Sequence, residues 1–236
     1  MTSSRGIPRR AAAGVHAVVT GEPCGRHARS ASSEAMTRIE ALTRRPALML
    51  AAADLGPVSS RAWSSLARLL RWDEALLLKA TRLHRPSRTR VARWLTRAGD
   101  ASSWVAYGLA LLATLDPAGI QAALRLGTAA GLATVLSQLL KRSLGRARPD
   151  RAIHGFEALA GNPDRFSFPS GHTAAAFAVA VAFGAGPSGL AVALFLFAVA
   201  LGVSRVYLGA HYPLDVAAGA ALGTVAGFGA RALLGA

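Results

Sequence analysis

Apolar stretches separated by short polar breaks fill the second half of this 236-residue chain. Residues 101–115 are uncharged between Asp100 and Asp116. Residues 117–140 carry only Arg125, close enough to the start for its long side chain to reach an interface. Residues 166–204 contain no Asp, Glu, Lys or Arg, a run longer than the roughly 20 residues one helix needs to cross a bilayer. The Gly- and Pro-bearing break at 184–189 divides that run into a hairpin of two helices. Residues 213–230 form the last stretch, with Asp215 in its first turn. The pattern predicts an all-α protein, a polytopic transmembrane helix bundle of about five spans. Gly and Ala recur throughout these segments and allow helices to approach closely within a bilayer.

Upstream the period remains helical but the face changes. Between 61 and 97, Leu69, Trp72, Leu76, Ala80 and Leu83 recur at intervals of three and four, while Arg68, Arg71, Lys79 and Arg82 take a neighbouring face. These are basic amphipathic helices, broken at Pro86, suited to the headgroup layer or to packing on other helices. Residues 1–60 show no sustained hydrophobic period and read as a low-complexity, disordered leader rather than a targeting segment. Three regions follow: the leader 1–60, the interfacial helices 61–98 and a transmembrane domain 99–236.

Composition sharpens this partition. Charged residues make up 17% of the chain, below the roughly 25% of soluble domains. Of 27 Lys and Arg residues, 18 precede Asp100, so the formal charge of +15 belongs mainly to the first part. No aromatic interleaving accompanies those cations, which argues against nucleic acid and for anionic lipid headgroups. The single cysteine, Cys24, excludes an internal disulfide framework and a cysteine-rich metal site. Only two of the cations are lysines, so Lys141 at the head of a motif stands out.

Three clusters carry the chemistry, and the predicted topology brings them to one membrane face. The first is Lys141-Arg-Ser-Leu-Gly-Arg-Ala-Arg148-Pro149. Its cations can stabilise charge on a transferring phosphoryl group, although basic residues also flank spans as simple anchors. The second is Pro169-Ser170-Gly171-His172 before a long apolar helix. A helix start offers backbone N–H groups to an anion, Gly171 allows close approach, Ser170 adds a hydroxyl and His172 can protonate a leaving alkoxide. The plainer alternative is a serine N-cap beside a chance histidine. The third is Ser204-Arg205 followed by His211 and Asp215. A carboxylate four residues beyond an imidazole can reach back and fix its tautomer, leaving the other nitrogen free to attack phosphorus. An acid that merely answers the helix dipole is the alternative.

Taken together, Lys141-x6-Arg148-Pro149, Pro169-Ser170-Gly171-His172 and Ser204-Arg205-x5-His211-x3-Asp215 resemble the signature of the type 2 phosphatidic acid phosphatase superfamily, with every position filled in order over about residues 99–236. The resemblance implies that His211 is the nucleophile of a phosphohistidine intermediate, that Asp215 orients it, and that His172 is the general acid that then helps activate water. It implies that Lys141, Arg148, Ser170, Gly171 and Arg205 hold the phosphate oxygens, without metal or other cofactor. The substrate would be a phosphate or diphosphate monoester on a phospholipid or polyprenyl anchor, with the membrane bilayer as a further partner. Its active face would be the periplasmic or external side of a bacterial plasma membrane. Counting basic residues points the opposite way, because the basic N-terminal half shares that face. The same signature serves lipid phosphotransferases and the soluble vanadium-dependent haloperoxidases; the apolar hairpin at 166–204 disfavours the latter. A non-enzymatic membrane protein would have little use for both histidines and every phosphate ligand. Oligomeric state has no signal in the sequence, and His16, His27, His84 and His154 match no motif position and read as surface residues.

Overall fold

The computed structural model describes residues 60–161, 164–184 and 189–235, and the leader expected at 1–60 falls almost wholly outside them. Eight helices occupy the described residues: α1 (Ser60–Thr81), α2 (Pro86–Ala98), α3 (Ala101–Leu112), α4 (Pro117–Leu144), α5 (Pro149–Ala152), α6 (Gly171–Ala182), α7 (Gly189–Tyr207) and α8 (Pro213–Leu234). Among the described residues the only β pairing is one isolated bridge, Ala147 to Phe166, which joins the two sides of the long loop between α4 and α6.

The apolar stretches are helical where the pattern places them, but they are not five equal spans. Among the described residues α4, α7 and α8 are long and apolar enough to cross a membrane. Helices α3 and α6 have 12 residues each, about 18 Å of rise against a hydrocarbon core of about 30 Å. Local chemistry sets both limits. Leu115 takes a positive φ of 56° and Asp116 caps α4, its side chain accepting from the Gly119 N–H at 2.7 Å. Helix α6 stops just before Gly184. Its apolar character serves burial inside the protein: Ala174, Ala175, Ala176, Ala178, Val179, Ala180 and Ala182 all lie in the core.

Helix α6 is the hub, packed against α4, α7 and α8. The closest approach is to α8, where Gly219, Gly223 and Gly227 recur every four residues. A Cβ at these positions would lie 2.6 Å from Ser170 O, 2.2 Å from Ala174 O and 2.6 Å from Ala178 O. Side chains are therefore excluded from that seam, as close helix packing requires. The outer faces remain apolar, with Leu190, Phe195, Leu196, Val199 and Val203 on α7 and Val225, Phe228 and Leu233 on α8 exposed. Large apolar residues facing outward suit a bilayer rather than water.

Pro86 separates α1 from α2, as the sequence predicts. Leu69, Trp72 and Leu76 of the apolar stripe are exposed on α1, Leu83 is exposed just past its end, and among the described side chains of α1 Asp73 and Leu77 are buried. Helix α1 touches α7 and α8, and α2 packs along α7. His84, expected at the surface, is instead half-buried between these elements. Its ring hydrogen-bonds the Tyr207 carbonyl and meets the Tyr207 ring edge-on at 4.9 Å. His154 is exposed, whereas His16 and His27 lie outside the described residues.

Candidate active site

One end of the bundle collects the C-termini of α4 and α7, the N-termini of α6 and α8, and the 145–170 loop. Lys141 closes α4, and Gly145 follows in the left-handed conformation (φ 59°), its N–H returning to the Lys141 carbonyl at 3.0 Å. That C-cap suits glycine and turns the chain toward Arg148. Ser170 begins α6 without a side-chain cap bond. Its N–H donates to the Asp215 carbonyl at 2.9 Å, which ties the starts of α6 and α8 together.

A cavity of about 700 Å³ opens at this end, and Lys141, Arg148, Gly171, His172 and Arg205 all line it. Asp164 answers the cations: Lys141 Nζ pairs with its Oδ2, and Arg148 Nη2 lies 3.3 Å from its Oδ1. Burial pushes the Asp164 carboxyl upward, but Lys141 and Arg148 together outweigh it and hold the group below its usual range. Burial draws the Arg148 guanidinium below its own usual value against the pull of Asp164; it stays charged. At Gly171 a Cβ would stand 3.9 Å from Lys141 Nζ, ordinary contact, so no protein neighbour demands glycine here. A ligand approaching the helix backbone would.

Behind this wall His211 is 1% exposed. Arg148 Nη1 donates to the Ala210 carbonyl at 2.9 Å and faces His211 Nε2 at 3.2 Å. A guanidinium has no acceptor, so Nε2 presents its lone pair and the neutral ring carries its proton on Nδ1. Burial, then the charges of Arg205, Arg148 and Lys141, hold the imidazole well below its ordinary value of 6.5. Nδ1 faces Asp215 Oδ2 at 3.5 Å, an electrostatic contact longer than a hydrogen bond. Asp215 is itself held by the Tyr212 N–H at 2.9 Å and by Arg146 Nη1 at 2.7 Å.

All eight residues expected from the motifs thus meet at one end: five line the cavity, while Ser170, His211 and Asp215 stand directly behind it. Ser204, the other motif hydroxyl, is buried and bonds the Leu201 carbonyl and Thr96 Oγ1 at 2.7 and 3.2 Å. The acids around the site other than Asp215 carry no motif signal in the sequence. Asp100 Oδ1 lies 2.8 Å from His172 Nε2, and Asp73 accepts from Arg146 Nη2 at 2.6 Å. In the sequence Asp100 is only the flank of the first apolar stretch. Asp73 left one trace, an acid inside a basic helix. Among the described residues no three His, Cys, Asp or Glu side chains gather as a metal-holding group.

The architecture is that of an integral membrane helix bundle with a cationic, histidine-bearing cavity at one end. The chain belongs to the PAP2 superfamily, whose profile matches residues 122–235. It is 35% identical over 148 residues to the decaprenylphosphoryl-5-phosphoribose phosphatase of Mycobacterium tuberculosis, a match covering 61% of this chain and 78% of that protein. Over 93 residues it is 41% identical to the lipid A 1-phosphatase of Rhizobium etli; that match covers 38% of this chain and spans 40% of the relative's own length. The fold is similar to the crystal structure of a transmembrane PAP2-type phosphatidylglycerolphosphate phosphatase from Bacillus subtilis. The TM-score is 0.56 at 27% identity, covering 79% of this chain and 91% of that one.

Proposed function

We propose that the chain is a membrane lipid phosphatase that cleaves a phosphate or diphosphate monoester from a lipid through a phosphohistidine at His211. The observation that carries the reading is the Arg148 guanidinium 3.2 Å from His211 Nε2, because it sets the ring's lone-pair nitrogen against a cation that lines the cavity. Lys141, Arg148 and Arg205, with the Gly171 backbone and Ser170, hold the phosphate oxygens. The Nε2 lone pair attacks phosphorus, the P–O bond to the lipid breaks, and protonated His172 gives its proton to the leaving oxygen. Water then attacks the phosphorus of the phosphohistidine, His172 takes the water's proton, and the P–N bond breaks to return His211 and inorganic phosphate. Asp215 stabilises the charged ring, and no metal is required.

The relatives act on three different lipid-linked phosphates by name, which supports the substrate class. On this reading the cavity faces the exterior of a bacterial plasma membrane. A membrane-impermeant thiol reagent should therefore reach Ser102→Cys, in a Cys24→Ser background, in intact cells; labelling only after lysis would reverse the side.

The deciding experiment is phosphate release by purified, detergent-solubilised protein over a panel of phospholipid and polyprenyl phosphates, with excess chelator. Turnover of at least one lipid, blocked by vanadate as a mimic of the five-coordinate phosphoryl group, is the expected result. Absence of turnover across the panel, or activity abolished by chelator and restored by magnesium, would overturn the reading.

A further inference from the structure

Helix α1 lies outside the matched profile, yet it sends a side chain to the back of the site. Asp73 is 2% exposed, and both its oxygens are used. Oδ1 accepts from the Leu214 N–H in the first turn of α8 at 2.8 Å, and Oδ2 from Arg146 Nη2 at 2.6 Å. The other terminal nitrogen of Arg146 donates to Asp215 Oδ1 at 2.7 Å. The Tyr212 ring covers the same guanidinium at 4.0 Å. One planar cation is thus shared by two buried acids, one terminal nitrogen to each, a fixed fork that the single nitrogen of lysine does not reproduce.

The charge count gives this arrangement a consequence. Asp215 paired with Arg146 alone would be a neutral unit. Its effect on the adjoining imidazole would then be small. Asp73 adds a second negative charge, so the three groups together carry −1 beside His211 Nδ1. That residual charge is what a phosphorylated, cationic ring needs from its partner.

We propose that Asp73 is a positioning residue, acting through Arg146 to keep Asp215 both fixed and effectively negative against His211. The inference deepens the phosphohistidine reading and rests on it for its kinetic consequence. The plainer role is a staple joining α1 to α8. That role concerns folding and would leave the electronic state of His211 alone.

The two are separable with Asp73→Asn, Asp73→Glu, Arg146→Lys and the double variant Asp73→Asn/Arg146→Lys, each as full-length protein in detergent. The amide of Asp73→Asn keeps an oxygen for the Leu214 N–H but loses the charge. For this variant we expect kcat to fall on the order of 10- to 100-fold with KM within about threefold of wild type, the pattern of a contact used mainly in the transition state. Asp73→Glu retains the charge and should recover part of kcat. Arg146→Lys should resemble Asp73→Asn, and the double variant should be no worse than the poorer single one, because both sever the same relay.

A second readout does not need turnover. In protein labelled with 15N-histidine, the His211 nitrogen signals, assigned by their loss in His211→Asn, should move in Asp73→Asn. Unchanged His211 signals, or losses that multiply in the double variant, would overturn the proposal. If Asp73→Asn does not fold, Asp73→Glu and Arg146→Lys are read in the same way. His211 signals closer to wild type in Asp73→Glu than in Arg146→Lys support the relay, and the reverse order overturns it. Should wild type turn over none of the lipids, the phosphatase reading fails, and the His211 signals still decide the role of Asp73.

Discussion

The cavity has two walls of different origin. One is built from α4, α6, α7 and the loops that carry the motif residues, within the matched region 122–235. The other comes from the α2–α3 junction, with Asp100 facing His172, and is extended behind the site by Asp73 of α1. The motif side supplies the imidazoles and the buried cations with their own acids, Asp164 and Asp215, whereas the N-terminal side adds Asp100 against His172 and Asp73 against Arg146. A cluster of buried cations with no acid behind it would suffer mutual repulsion and desolvation. On the proposed function the division has a physical logic: one wall would bind the anion, and the acids of the other would tune the groups that bind and react.

The sharpest break between the walls should come from His211→Ala. Among the described residues no other imidazole stands beside Arg148 to replace Nε2, so turnover should fall by at least about 10⁴-fold, the scale set by loss of a nucleophile. Residual activity above a few per cent of wild type would move the nucleophile elsewhere. Next in size is Asp215→Asn, where the ring loses its negative partner and its preferred tautomer. A drop in kcat on the order of 10²–10⁴-fold is expected by analogy with other His–Asp pairs. A nearly wild-type rate would leave Asp215 as a capping residue for α8.

The pH dependence follows from His211 by a sign that can be worked out. On the proposed mechanism the neutral ring is the reactive form, and its folded value lies well below the ordinary 6.5. The acid limb of kcat/KM, corrected for substrate ionisation, should therefore fall below pH 6.5. Stability follows the same direction. Above 6.5 neither state binds this proton. As pH falls below 6.5 the unfolded chain takes up a proton that the buried ring refuses, and stability declines toward the folded value. Thermal melts in detergent should show His211→Asn losing less stability than wild type between pH 7 and pH 5. An equal decline would assign the acid sensitivity to other groups.

The N-terminal wall predicts smaller changes. Asp100→Asn keeps a partner for His172 Nε2 but removes its charge, which should lower kcat about tenfold while the motif wall still binds phosphate, measured as an unchanged inhibition constant for vanadate. A loss as large as that of His211→Ala would erase the distinction between the walls.

The same division explains what could be read in the sequence. The motif wall was legible because residue types at fixed short spacings sit at the ends of apolar runs, and secondary structure alone converts spacing into position. The lengths of α3 and α6 were less legible. A run of apolar residues looks the same whether lipid or protein covers it, and only the packed bundle shows α6 enclosed by its neighbours. Asp73 and Asp100 were the hardest to see, since their partners lie 73 and 72 residues away and no period links them.

The smallest effect tests the comparison at its finest grain, between neighbours on α1. Asp73 is buried toward α8, but Trp72, one residue back and turned by about 100°, is 67% exposed with Leu69 and Leu76 on the same flank. An exposed tryptophan on a basic helix suits the headgroup layer, where it contributes to surface attachment without touching the site. Trp72→Ala should therefore leave kcat within about twofold of wild type, because no hydrogen bond to the reacting groups is lost. Its effect should appear instead as a loss of preference for acidic over zwitterionic mixed micelles, about two- to threefold, through KM. Side by side, Asp73→Asn should alter kcat and spare KM, while Trp72→Ala should do the reverse. If both variants changed the same parameter by the same factor, α1 would act as a single packing element. Its two faces would then have no separate roles.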